Sequence, residues 1–525
     1  MTVGAAGKSV TRTRTSAAAM VTALGLMVLL VVGIGDWRIV RTEPAKAVVF
    51  SPPGGAYERD LLLSLSAPTL HGEVVTTLDG SIPTVERGTR YVGPIRLSAD
   101  GRAVTTIRAR VVGRDGSLGP VRTESYFLGL DAQLPMMSLV IDPDDMWGAE
   151  RGIYANAEQR GVEWERPVDI AYVSVDRDHG FHVPAGVRLH GEWSRQFDKK
   201  SLRLYFRDEY GPTQLAYPLF HTGEAATFDR LVLHNGGNDS TQPGANWTLL
   251  RNALVTELAQ AIGADTTRTR PVLLFVNGDP WGIYQLRERI DERFLADRYG
   301  IRQADILDSP ANVWVGVTVE GDREHWDELL AYVKAHDLRE PESYTYVAAQ
   351  VDLANLIDYT LLQLYSGNVD WPEHNVNQFR ARSPGGRWRW IVWDNDYSFG
   401  LNLHAGLGFE GDIVTLDLVQ KLFEDDHRRV VDGEDTLLTR KLLANEHFRG
   451  RFLARADELL ETAFSAEAVL PRIDRLAAEL APDIDHEIAR WGSSVDWESS
   501  VEGMRDYARR RPDALREHLL SALGP

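Results

Sequence analysis

A chain of 525 residues is long enough for about three domains, and 43% hydrophobic content with 14 tryptophans argues for filled cores rather than disorder. A net charge of −19 excludes a general nucleic-acid binder, which needs a basic face for phosphate. With no cysteine there is no disulfide, no thiolate zinc site and no cysteine nucleophile.

Lys8, Arg12 and Arg14 precede an uncharged apolar run at 17–35 that ends at Asp36 and Arg38. A helix of about nineteen residues rises about 28 Å, close to the hydrocarbon thickness of a bilayer. The expectation for 1–47 is an uncleaved transmembrane anchor at the cell membrane, single-pass, with the bulk of the chain extracytoplasmic. Cleavage of the segment as a signal would instead leave a secreted protein. From 48 to 130 the pattern is β. Short runs at 61–65, 73–77, 94–97 and 105–111 are separated by turn clusters such as Asp79-Gly80-Ser81 and Gly113-Arg114-Asp115-Gly116, at the spacing of a small sandwich. In the first turn Gly80 supplies a positive φ and Asp79 is read as a capping carboxylate, with a sugar or Ca²⁺ contact the alternative. The Asp79-Gly80-Ser81-Ile82-Pro83-Thr84 stretch, with Ser51-Pro52-Pro53-Gly54-Gly55 before it, resembles the small β-sandwich module at the C-terminus of chitobiase-type enzymes.

Residues 134–307 read as a strand-rich lobe with one helix at 247–262, where Leu250, Leu254, Leu258 and Ile262 form a stripe ended by Gly263. Residues 308–525 read as a helical lobe, beginning with helices at 323–336 and 346–365. Within it, 387–393 alternates as a strand entered through Pro384-Gly385-Gly386.

Asn368-Val369-Asp370-Trp371-Pro372-Glu373-His374-Asn375 holds an Asp and an Asn at the Asp-x-x-x-x-Asn spacing of a kinase catalytic loop. There the Asp accepts a hydroxyl proton and the Asn holds a metal. Beyond a short hairpin, Trp393-Asp394-Asn395-Asp396 places two carboxylates where a kinase keeps its Mg²⁺ aspartate. Upstream, Lys199-Lys200 enters an alternating strand, so a lysine there is read as able to point into a cleft. A solvated lysine at a strand edge is the plain alternative for either one. Asn235-Gly236-Gly237-Asn238-Asp239 is read as a long flexible loop before a helix, and no Gly-x-Gly-x-x-Gly is present. His190, His234 and His404 are read as structural, and His374 as loop packing. A zinc hydrolase or a serine hydrolase lacks its motif here.

Several stretches then fall into one order: Gly152-Ile153-Tyr154, Trp164-Glu165-Arg166-Pro167-Val168, the 191–201 segment, Asn277-Gly278-Asp279-Pro280-Trp281-Gly282-Ile283-Tyr284 with Leu286-Arg287-Glu288-Arg289-Ile290, then Asn368-Val369-Asp370-Trp371 and 388–396. This order resembles the CotH family of spore-coat-type secreted atypical protein kinases over 134–460. The fold class implied is α+β, a two-lobed atypical protein-kinase-like fold with an N-terminal sandwich and an anchor helix. The resemblance implies transfer of the γ-phosphoryl group of ATP to Ser or Thr of a cell-envelope or coat protein, with Mg²⁺ or Mn²⁺. Carried over by motif, Lys200 contacts the phosphates, Asp370 is the base, and Asn375, Asp394 and Asp396 hold metal. Glu288 partners Lys200 or lines the adenine pocket, with a surface glutamate the alternative. Arg195 and Arg251 are further phosphate or substrate contacts. The rival reading is a cell-envelope scaffold, or a carbohydrate binder, that kept the fold without the catalysis.

Overall fold

The computed structural model describes residues 40–41, 47–67, 71–99, 104–220, 226–241, 245–309, 317–402, 411–423 and 434–524. Alternating apolar runs build an eight-stranded sheet in the order Val40–Arg41, Gly180–His190, Arg166–Val173, Met136–Val140, Thr269–Val276, Asp279–Glu288, Arg230–His234, Ser201–Tyr205. The last strand pairs back onto Gly180–His190, so the sheet closes on itself. Because strand side chains alternate faces, Val187, Leu202, Leu204, Leu233, Tyr284 and Leu286 turn inward to an enclosed apolar core. Their neighbours along the strands, among them His190, Ser201, Arg203 and His234, turn outward to a cleft.

A second sheet takes the order Asp265–Thr266, Arg389–Val392, Val376–Ala381, Ala304–Ser309, Val317–Glu320. Its tryptophans Trp388 and Trp390 pack with the helices Arg251–Ile262, Leu353–Ser366, Glu446–Glu461, Ala466–Leu480 and Trp497–Leu523 in one apolar core. The helix expected from 247 starts at Arg251, because the Asp239 carboxylate takes the Thr248 and Arg251 N–H groups and holds the preceding residues in a turn. It ends as read, at Gly263 in the left-handed region. The helix Leu353–Ser366 is capped by the Asp352 carboxylate, and Gly367 at φ 63° turns the chain into the 368–375 loop.

In the 48–130 segment two sheets, one of three strands and one of five, enclose Phe50, Leu63, Ile107 and Tyr126. Asp79 caps its turn, accepting from the Ser81 N–H and hydroxyl. This sandwich is docked onto the closed sheet by buried polar bonds. Arg108, 5% exposed, donates to the carbonyls of Gly80 and Val140 and to the Asp169 carboxylate. Gly80 (φ 83°) lies against Asn277, and a Cβ there would stand 2.5 Å from that side chain.

Two expectations are corrected. The fold class included a membrane-spanning helix; among the described residues no helix is long and apolar enough to cross a membrane. The run at 17–35 lies outside those residues, and what they form is a mixed α+β fold. The expected lobe boundary at 307/308 cuts through the strand Ala304–Ser309, which pairs with the 376–392 hairpin of the helical lobe. In return, the late helix Ile484–Trp491 docks on Asp279–Glu288, where Glu487 accepts from the Ile283 N–H at 2.8 Å and from Lys199 Nζ at 2.6 Å.

Candidate active site

A cleft of about 390 Å³ separates the outward face of the closed sheet from the ends of the 376–392 hairpin. Asp370 and Asn375 enter it from the loop before the first hairpin strand, and Asp394 and Asp396 from the segment after the second. Asn375 (φ 61°) and Asp394 (φ 56°) both hold left-handed backbone, a strained state for residues with a Cβ. Asn375 is fixed there by its N–H on the Ser309 carbonyl at 2.8 Å.

Asp394 Oδ1 stands 3.0 Å from His234 Nε2, 3.5 Å from Asn252 Nδ2 and 3.6 Å from Arg287. His234 Nδ1 accepts the Gly236 N–H at 3.2 Å, so its proton sits on Nε2 and is donated to Asp394. Burial opposes ionisation of Asp394, but His234 and Arg287 outweigh it and hold the carboxyl below its usual range. Asp396 goes the other way: burial, then Asp394 and Asp370, push it well above. Its Oδ2 accepts the Asn238 N–H, while its Oδ1 is buried with no partner among the described residues. Burial and the charge of Asp394 push Asp370 up to about 7, against the opposing pull of Lys421.

The far wall is cationic. Arg203 donates to His190 Nδ1 at 2.6 Å, and burial together with the Arg203 charge pushes the imidazole far below its usual value, which keeps it neutral. Burial, then Arg289, pushes Arg203 itself down to about 10. Arg289 lines the same wall and forms no ion pair among the described residues. Asp308, also lining the cleft, accepts from Asn377 Nδ2 at 3.1 Å; burial raises its pKa, with Arg289 opposing.

Three expected residues stand elsewhere. Lys200 shares its strand face with Leu202 and Leu204, not with Ser201 and Arg203. Its ammonium is held by the carbonyls of Arg195 and Phe197 at 2.7 and 2.5 Å, against the Tyr154 ring. Glu288 likewise turns away from the cleft and pairs with Arg268 at 2.6 Å; its neighbour Arg287 points to Asp394. Arg195 borders the cleft, yet its guanidinium is spent on the carbonyls of Gly191, Ala157, Gln159 and Leu189. Arg251 is wholly buried against Asp239, and His404 lies outside the described residues.

Sequence reasoning passed over Arg203, Arg289, His190, His234, Asp308 and Lys421. Counting faces outward from Leu202 and Leu204 would have found Arg203 and Ser201. Lys421 had no local signal: it arrives from 411–423 and donates to the carbonyls of Val369 and Trp371, one on each side of Asp370, at 3.2 and 3.1 Å.

Among the described residues no three His, Asp or Glu side chains are gathered closely enough to cage an ion as they stand. The free oxygens nevertheless suit a hard divalent cation: Asp396 Oδ1 is buried and unpartnered, and Asp394 keeps Oδ2 free of hydrogen bonds to the described residues.

The cleft thus gathers the Asp-x-x-x-x-Asn loop and the following acidic pair at the ends of one hairpin, facing the closed sheet. Residues 187–515, more than half of the chain, match the family model described as CotH kinase protein, and the chain belongs to that family. The sequence is also 21% identical over 414 residues to inner spore coat protein H of Bacillus subtilis (strain 168), covering 74% of this chain and 98% of that protein.

Proposed function

We propose that the cleft transfers the γ-phosphoryl group of ATP to a Ser or Thr hydroxyl of a protein acceptor, as a member of the CotH family whose acceptors lie in a cell envelope or coat. The observation that carries this reading is the meeting of Asp370, Asn375, Asp394 and Asp396 at one end of a cleft whose other wall is Arg203 and Arg289. Phosphoryl transfer needs little covalent help; positioning and charge neutralisation do most of it.

Asp370 takes the acceptor's hydroxyl proton. Without the metal, burial and Asp394 hold the Asp370 carboxyl at about 7; a cation on Asp394 would offset that charge and favour the ionised form that a general base needs. Lys421 steadies the two peptide carbonyls that flank it. Arg203 and Arg289 face the phosphates, the role the sequence had given to Lys200. Asp394, Asp396 and Asn375 would hold Mg²⁺ or Mn²⁺, which when bound supplies positive charge to the phosphate oxygens.

The test is incubation of the protein and an acidic or hydroxyl-rich acceptor with labelled ATP and either metal, beside Asp370→Ala and Asp394→Ala. Wild-type labelling that both variants lose supports the reading. Equal labelling by the variants, or none by wild type with either metal, overturns it.

A further inference from the structure

The turn between the strand Arg230–His234 and the helix Arg251–Ile262 touches both carboxylates of the acidic pair, and it does so at one oxygen each. His234 Nε2 reaches Asp394 Oδ1 at 3.0 Å, and the Asn238 amide reaches Asp396 Oδ2. Asp396, 2% exposed, keeps its Oδ1 unpartnered. The turn is itself pinned from behind. Asn235, wholly buried, accepts the Gly237 N–H at 2.9 Å and the Ser201 hydroxyl at 2.8 Å, and donates to the Lys199 carbonyl at 2.6 Å. Asp239, gripped by Arg251 at 2.6 Å, closes the other end.

We propose that 234–238 is a positioning clamp for a divalent cation: it grips one oxygen of Asp394 and one of Asp396 and leaves the opposite oxygen of each to the ion. A carboxylate held at one oxygen has fewer orientations open to it, so less freedom is lost at the opposite oxygen when an ion binds. The same geometry explains the residue type at 237. Gly237 holds φ 59°, and a Cβ there would overlap Asp396 Oδ2. Gly236 is a different case. It also holds positive φ, at 97°, but its Cβ would meet the flexible end of Leu249 at 2.4 Å and the Asp239 carbonyl at 3.0 Å, and neither Asp394 nor Asp396. The flexible loop read from the sequence is thus a largely buried turn held by side-chain hydrogen bonds at Asn235 and Asp239.

The clamp rests on the cation in the kinase reading, and the experiment separates the two. The full chain and its variants are titrated with Mn²⁺ alone, following the free-ion signal by electron paramagnetic resonance, with circular dichroism and melting as checks on folding. Wild type is expected to bind, and Gly237→Ala to weaken binding at least tenfold. Gly236→Ala, at φ 97°, carries the larger backbone strain but touches neither carboxylate of the acidic pair, and is expected to stay within about threefold of wild type. His234→Leu should weaken binding, and His234→Gln, which restores an N–H donor, should recover most of it. Wild-type binding with Gly237→Ala and His234→Leu unchanged would overturn the clamp and leave the cation standing. Equal losses in the two glycine variants would also overturn it, since strain alone would then account for the effect. A wild type that binds no Mn²⁺ overturns both.

Discussion

The two faces of the closed sheet treat charge in opposite ways. On the inward side and its rim, each charged group has a partner made by the chain: Lys199 with Glu487, Lys200 with two carbonyls, Glu288 with Arg268. On the cleft side partners run short. Arg287 has no hydrogen bond on any of its three nitrogens, Arg203 leaves Nε unpaired, and Asp396 leaves Oδ1. Single buried atoms without a hydrogen bond occur on both faces, as at Arg270 Nε and Glu165 Oε1. Arg287 stands apart because none of its nitrogens is hydrogen-bonded among the described residues, and its guanidinium meets Asp394 at 3.6 Å and the Trp393 ring. Of Lys200 and Arg203, Arg203 lines the cleft and Lys200 does not.

The largest effect expected from this division is on the cleft side. Asp370→Ala should lower phosphotransfer by about 10²–10⁴-fold, read as initial rates with labelled ATP; a loss under tenfold would move the base elsewhere. On the partnered side, Lys199→Met leaves Glu487 buried without its counter-charge and should cost about 3–5 kcal/mol of stability, measured by chemical denaturation. Adding Glu487→Leu should return most of it, and a double variant no better than the single would show that the pair is not what Lys199 serves.

A third experiment sets the two faces against each other directly. Arg203→Met should raise the KM for ATP about tenfold, the size of one lost charged contact, with melting little changed. Lys200→Met should lower the melting temperature with KM unmoved. The reverse pattern would break the assignment.

The smallest effect concerns stability and pH. Asp370 is pushed up to about 7 in the folded chain, against about 3.9 when unfolded. Between those values the native state holds a proton that the unfolded state has lost, so stability falls as pH rises through the window and the deficit persists above it. Without added metal, Asp370→Asn should melt like wild type near pH 4. Near pH 8 it should be more stable by on the order of 1–2 kcal/mol, less than the whole shift because Asp370 keeps some solvent contact. Equal stability at pH 8 would mean that the carboxyl is not strained by its neighbours.

How legible the site was depends on the distance over which each residue's signal acts. Asp370 with Asn375, and Asp394 with Asp396, sit in short stretches whose spacing is itself the signal, and the structure brings them to one place. Gly263 and Asp79 were readable for the same reason, because caps and turns are settled within a few residues. Lys200 and Glu288 were each placed on the wrong face of their strand. A strand reverses face at every step, and the sequence around Lys199-Lys200-Ser201 does not say which parity meets the cleft until Leu202 and Leu204 are known to be inside. His234 and Lys421 depend on contacts across 160 and about 50 residues, which no local pattern carries: His234 meets Asp394, and Lys421 meets the carbonyls beside Asp370.

The ion pair between Lys199 and Glu487 spans 288 residues of chain. During synthesis, the strand-rich lobe therefore waits for its counter-charge until almost the whole polypeptide has left the ribosome, long after every residue of the acidic cluster has emerged. A product ended early, before Glu487, would contain the full set of cleft residues and still carry an unneutralised ammonium inside its first lobe. The last helices thus complete the first lobe as much as they build the second.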